Sequence, residues 1–162
     1  PLGYGQVSFW LAMSALVGFV VITIGYGAKI IRVRPPQPLR PSLAIILSPL
    51  SLFALMFLPM QAEMAFQIFY WLSWVTAVAL AGLSFWMAKG GWTPIWGAFT
   101  FPVAAFTSMQ ISAADTLGGV LPAIGVWVGM LVATPLILYV VYRSTIAWTQ
   151  GELAKKTGAA QA

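Results

Sequence analysis

The chain has 162 residues, of which 60% are hydrophobic and 7% charged, and its formal net charge is +5. Soluble domains carry about 25% charged residues, so a chain this poor in charge is one that meets lipid. There is no His and no Cys, which excludes histidine or thiolate zinc sites, thiol nucleophiles and histidine general bases.

In chain order, the sequence begins at Pro1 with no basic segment ahead of the first apolar run. No signal peptide is recognised, and the expectation is the C-terminal part of a longer polypeptide. A spanning helix needs about 20 mostly apolar residues. Five runs qualify, at 8–28, 42–59, 64–88, 93–113 and 119–142. The expected fold is therefore an all-α integral membrane protein with five transmembrane helices. It divides into a transmembrane domain over 1–144 and a short polar cytoplasmic tail over 145–162.

Between the first two runs lies KIIRVRPPQPLR, whose prolines forbid a continued helix and favour an extended link. The second run starts at Pro41-Ser42, where Ser42 suits an N-cap. The third carries Tyr70, Trp71 and Trp74 at a depth that suits lipid contact or packing. Trp92, Trp96 and Trp148 lie near span ends and fit an interfacial belt.

With five spans, Lys29, Arg32, Arg34, Arg40, Lys89, Arg143, Lys155 and Lys156 all fall on one side, joined by Glu152. Glu63 and Asp115 fall on the other. The positive-inside rule makes the basic side, and with it the C-terminus, cytoplasmic. One span more or fewer would scatter the basic residues. The expected location is the bacterial inner membrane. Basic residues this few and this close to a bilayer read as topology and headgroup contacts, not as a nucleic-acid surface.

No Lys, Arg, Asp or Glu lies inside the five runs. A proton relay needs ionisable groups in the membrane, and general acid–base work needs paired carboxylates. Enzyme activity is not expected, and no cofactor or metal is implied.

Proline in a spanning helix frees the carbonyl four residues back. Pro49 frees that of Ile45, Pro102 that of Ala98 and Pro135 that of Leu131. Pro135 reads as a packing kink, while Pro49 and Pro102 have informative neighbours. At helical spacing Gly97, Phe101, Ala104, Ala105, Ser108 and Ser112 share a stripe. Trp92, Trp96, Phe99, Val103 and Phe106 form the opposite one. The small stripe suits either close helix packing or a pore wall. In the second run Ala44, Ser48, Ser51, Leu52 and Leu55 cluster similarly, beside Pro49.

RPPQPLRPSLAIILSPLSL (34–52) and WTPIWGAFTFPVAAF (92–106) resemble the Pro-rich loop with its following helix, and the ninth helix, of the tellurite-resistance/dicarboxylate transporter family, which includes the guard-cell slow anion channels. The resemblance covers most of 1–144. It implies a ten-span protein of five helical hairpins around a central pore, assembled as a homotrimer. The five runs here would be spans six to ten. Odd-numbered spans line the pore, which places the second and fourth runs on its wall. The family's gating phenylalanine matches Phe101, with Ser48, Pro49, Gly97, Pro102, Ala105 and Ser108 as pore-lining residues. The family's Pro-Pro pair on the seventh helix is Ser48-Pro49 here, and its first five spans lie outside this sequence.

The expected function is passage of small anions such as chloride or nitrate through a phenylalanine-gated pore. The alternatives are a dicarboxylate (malate) or tellurite transporter, coupled to protons, and a non-conducting membrane subunit. The expected partners are small inorganic or organic anions, the lipid bilayer, and the N-terminal half within a homotrimer.

Overall fold

The computed structural model describes residues 5–33 and 35–153. The described chain is all helical, with no strand, as its composition requires: without water to bond exposed backbone groups, a chain in lipid satisfies them within helices. The helices are α1 (Gly5–Arg32), α2 (Leu47–Phe57), α3 (Glu63–Ala88), α4 (Gly97–Leu117) and α5 (Val120–Thr149). A 3-10 helix over Gln37–Ile46 precedes α2, and another over Pro94–Trp96 precedes α4. Arg34 and residues 154–162, with Lys155 and Lys156, lie outside the described residues.

Two compact units result, α1 on one side of the Pro35–Pro36 junction and the remaining elements on the other. By itself, α1 is a spanning-type helix, with Phe9–Ala28 at a mean hydropathy of 2.0. Ser14 Oγ donates to the Trp10 carbonyl at 2.9 Å, which satisfies a hydroxyl within the helix.

In the second unit, α2 lies against both α3 and α4, and α4 packs along α5. Of an apolar 18-residue stretch within Gln37–Phe57, 44% is buried, against 11% for such a stretch within Glu63–Ala88 and 22% within Val120–Thr149. The shortest apolar run is thus the innermost.

Its conformation departs from the expected single helix. The chain winds as a 3-10 helix through Gln37–Ile46 and becomes α-helical at Leu47. A 3-10 stretch this long is uncommon, and Pro38 and Pro41, which donate no N–H, both lie within it. Helical structure therefore begins five residues before Ser42, whose hydroxyl donates to the Leu39 carbonyl at 2.7 Å instead of capping. Pro49 becomes the third residue of α2. In a first turn the missing N–H costs little, so Pro49 is an initiator of α2 and not a mid-helix break.

The fourth and fifth helices also differ from their expected limits. α4 runs to Leu117, so Asp115 is helical and the turn narrows to Gly118 and Gly119, with φ of 67° and 97°. Glycine adopts such angles without steric cost. α5 continues to Thr149, which makes the start of the expected tail a helical extension. Among the described residues, four helical stretches are long and apolar enough to cross a membrane, in α1, Gln37–Phe57, α3 and α5, and α4 is not among them. Thr100, Thr107, Ser108, Gln110 and Ser112 lower its hydropathy, and its neighbours shield much of it.

Basic side chains gather at one end of this unit. The Arg40 guanidinium lies 4.3 Å from the Trp86 ring centre, and Arg143 lies 5.0 Å from that of Trp92. Lys89 sits between those tryptophans in sequence. Glu63 opens α3 and Asp115 nearly closes α4, one helix length away from the basic cluster.

Candidate functional site

The site is built on α4, whose faces differ in chemistry and surroundings. On one face Phe101 is 59% exposed and Ser108 is exposed seven residues later. Gly97, Ala104 and Ser112 stand half-buried along the same stripe. Pro102 is fully buried behind Phe101, and Ala105 is buried as well. Thr100 Oγ1 donates to the Gly97 carbonyl at 2.7 Å, so this polar side chain is satisfied locally. The helix stays α-helical through Pro102.

The opposite face holds the bulky side chains. Phe106 meets Trp74 of α3 edge to face with centroids 5.1 Å apart, and Trp96 meets Tyr139 of α5 at 5.8 Å. Edge and face of aromatic rings attract through their quadrupoles, so the Phe106–Trp74 pair helps to fix the rotation of α4. The buried positions of α4 are Pro102, Ala105, Phe106, Thr107, Met109, Gln110 and Ala113, and the edge with Phe101 and Ser108 is left open.

A third face meets α5 through small residues. Gly125, Gly129 and Ala133 are buried at four-residue spacing, which lets the helix backbones approach closely. A Cβ added at Gly125 would stand 2.6 Å from Gln110 Cδ, and one at Gly129 would collide with the Thr107 side chain. The GVWVGMLVA spacing of the fifth run already carries this seam.

Polar groups overlooked in the sequence lie deep in the bundle. Gln110 is fully buried, and Tyr70 donates its hydroxyl hydrogen to Gln110 Oε1 at 3.2 Å. Of the aromatic trio in the third run, Tyr70 is therefore an internal polar tie, Trp74 packs on Phe106, and Trp71 is 52% exposed. Gln110 Nε2 and the hydroxyls of Ser48 and Ser51 are buried without a hydrogen-bond partner. Ser48 faces inward on α2, while Pro49 is half-buried. Phe101, Gly97 and Ser108 are thus brought onto one open face. Pro102, Ala105 and Ser48 lie behind it between helices.

Comparison of the chain with family models, with curated proteins and with solved structures finds no match.

Proposed function

We propose that this membrane-type helical chain is the C-terminal half of an anion channel of the tellurite-resistance/dicarboxylate transporter family. The observation that carries the reading is the open face of α4, where Phe101 projects at 59% exposure above small residues and Ser108. A small, faintly polar face at membrane depth is a poor lipid surface. It suits either a lumen or another helix at close range.

In this reading Phe101 closes the lumen by hydrophobic constriction. Gly97 and Ser108 line the path. Pro102 and Ala105 shape α4 from behind, and Ser48 and Pro49 contribute from the adjoining α2. Anion preference comes from helix-end dipoles and hydroxyls, which bind weakly enough to let an ion leave. The basic end faces the cytoplasm of an inner membrane, and the pore is completed by spans one to five in each subunit of a homotrimer.

The test is anion flux into liposomes holding the full natural polypeptide, wild type against Phe101→Ala, with chloride and malate in parallel. A chloride leak in the alanine form, with both proteins folded, supports the gate. Malate movement driven by a pH gradient, with no chloride flux in either form, replaces the channel with a coupled carrier. No flux of either anion leaves a non-conducting subunit.

A further inference from the structure

Behind the open face of α4 runs an apolar groove of about 850 Å³, lined by α3, α4 and α5 together with Ala44 and Leu47. Its floor is the bulky stripe of α4, with Phe99, Val103 and Phe106. One wall is α3, where the small Ala77, Ala81, Ser84 and Ala88 alternate with larger side chains that include Leu80 and Phe85. The other is Val128, Val132 and Leu136 of α5.

The groove is directional. From Ala77 to Lys89 it rises about 18 Å at the helical pitch, close to one leaflet of a hydrocarbon core about 30 Å thick. It reaches the basic end, where Lys89 and Trp96 line it. From Trp96 the surface passes to Tyr139 at 5.8 Å and on to Arg143, whose guanidinium lies 5.9 Å from the Tyr139 ring centre. There Arg143, Trp92 and Gln150 help line a smaller cleft of about 190 Å³. A guanidinium stacked on rings keeps its N–H donors in the plane of its own edge, where phosphate oxygens are bound.

We infer that this groove is a binding site for one anionic phospholipid of the leaflet at the basic end. An acyl chain lies along Phe99, Val103 and Phe106, and the phosphate is held between Lys89 and Arg143. The apolar depth accepts any acyl chain, and the two cations select the charge of the headgroup. Basic pockets between spanning helices take anionic headgroups in this way. The site lies on the side of α4 opposite Phe101, and the inference holds whether or not the chain conducts.

The test is native mass spectrometry of the full natural polypeptide, released from bilayers of equal phosphatidylglycerol and phosphatidylcholine with matched acyl chains. Wild type is expected to retain phosphatidylglycerol preferentially. Lys89→Gln and Arg143→Gln each reduce that preference about fivefold, as expected for about 1 kcal/mol per basic side chain near an anionic surface. Val103→Trp, which fills the groove, lowers retention of both lipids. Should that variant fail to fold, the exposed Lys89→Gln carries the test alone. Equal retention of the two lipids by wild type overturns the site, as does a preference unchanged in Lys89→Gln. A second protein copy seated in the groove to the exclusion of lipid overturns it too.

Discussion

Tyr70 and Gln110, 40 positions apart in sequence, meet in the bundle interior, where the tyrosine hydroxyl donates to Gln110 Oε1 at 3.2 Å. The bond ties α3 to α4. It also holds Gln110 beside Gly125 of α5, so one side chain joins three helices.

Tyr70→Phe leaves that oxygen buried without a donor. A loss of about 1 kcal/mol is expected, since interhelical hydrogen bonds in membranes are individually modest. Tyr70→Phe combined with Gln110→Leu, which removes the orphan as well, loses less than the sum of the single changes. A double-mutant cycle by thermal unfolding in detergent checks this, and strict additivity would mean the two side chains do not interact.

The α4–α5 seam predicts an ordered series. Gly129→Ala meets β-branched Thr107, which is pinned by its own bond to the Val103 carbonyl at 2.8 Å, and it should cost about 1–3 kcal/mol by overpacking. Gly125→Ala meets Gln110, which is fully buried and tied by Tyr70, and should cost a similar amount. Gly82→Ala meets nothing within 4 Å and should be neutral or stabilising by up to about 1 kcal/mol through helix propensity. Melting temperatures of the three variants test the order.

Two phenylalanines on opposite faces of α4 should behave oppositely. Phe106 is 6% exposed and packs on Trp74, so Phe106→Ala is expected to lose about 3–5 kcal/mol. Phe101 is open in this chain, and Phe101→Ala should change stability by less than about 1 kcal/mol while changing flux. A large loss of stability with unchanged flux would make Phe101 a packing residue.

Ser51 has a hydroxyl buried without a partner. Ser51→Ala removes an unpaired polar group and should leave stability unchanged or raise it by about 1 kcal/mol. A clear fall in melting temperature would show that the hydroxyl bonds to water or to another chain.

Composition and period settled the architecture before any packing was known. A chain with 7% charge has no medium but lipid for its long apolar runs, and in lipid only a helix satisfies its own backbone. The runs at 64–88 and 119–142 were legible because a spanning length of apolar residues needs no partner to form a helix. The division of α4 into a bulky and a small stripe was legible from spacing alone, because side-chain direction follows the helical turn. Which positions of α4 are buried was decided by partners remote in sequence, among them Trp74 against Phe106 and Tyr70 against Gln110. The 3-10 winding before α2 was hidden because proline excludes a bond without saying which helix replaces it. Gln110 is inconspicuous in the sequence because a neutral amide barely marks hydropathy, and only the fold shows that its surroundings are dry. The groove beside Lys89 lay beyond sequence reach altogether: each wall is an ordinary apolar stripe, and a cavity exists only where three helices fail to close on one another.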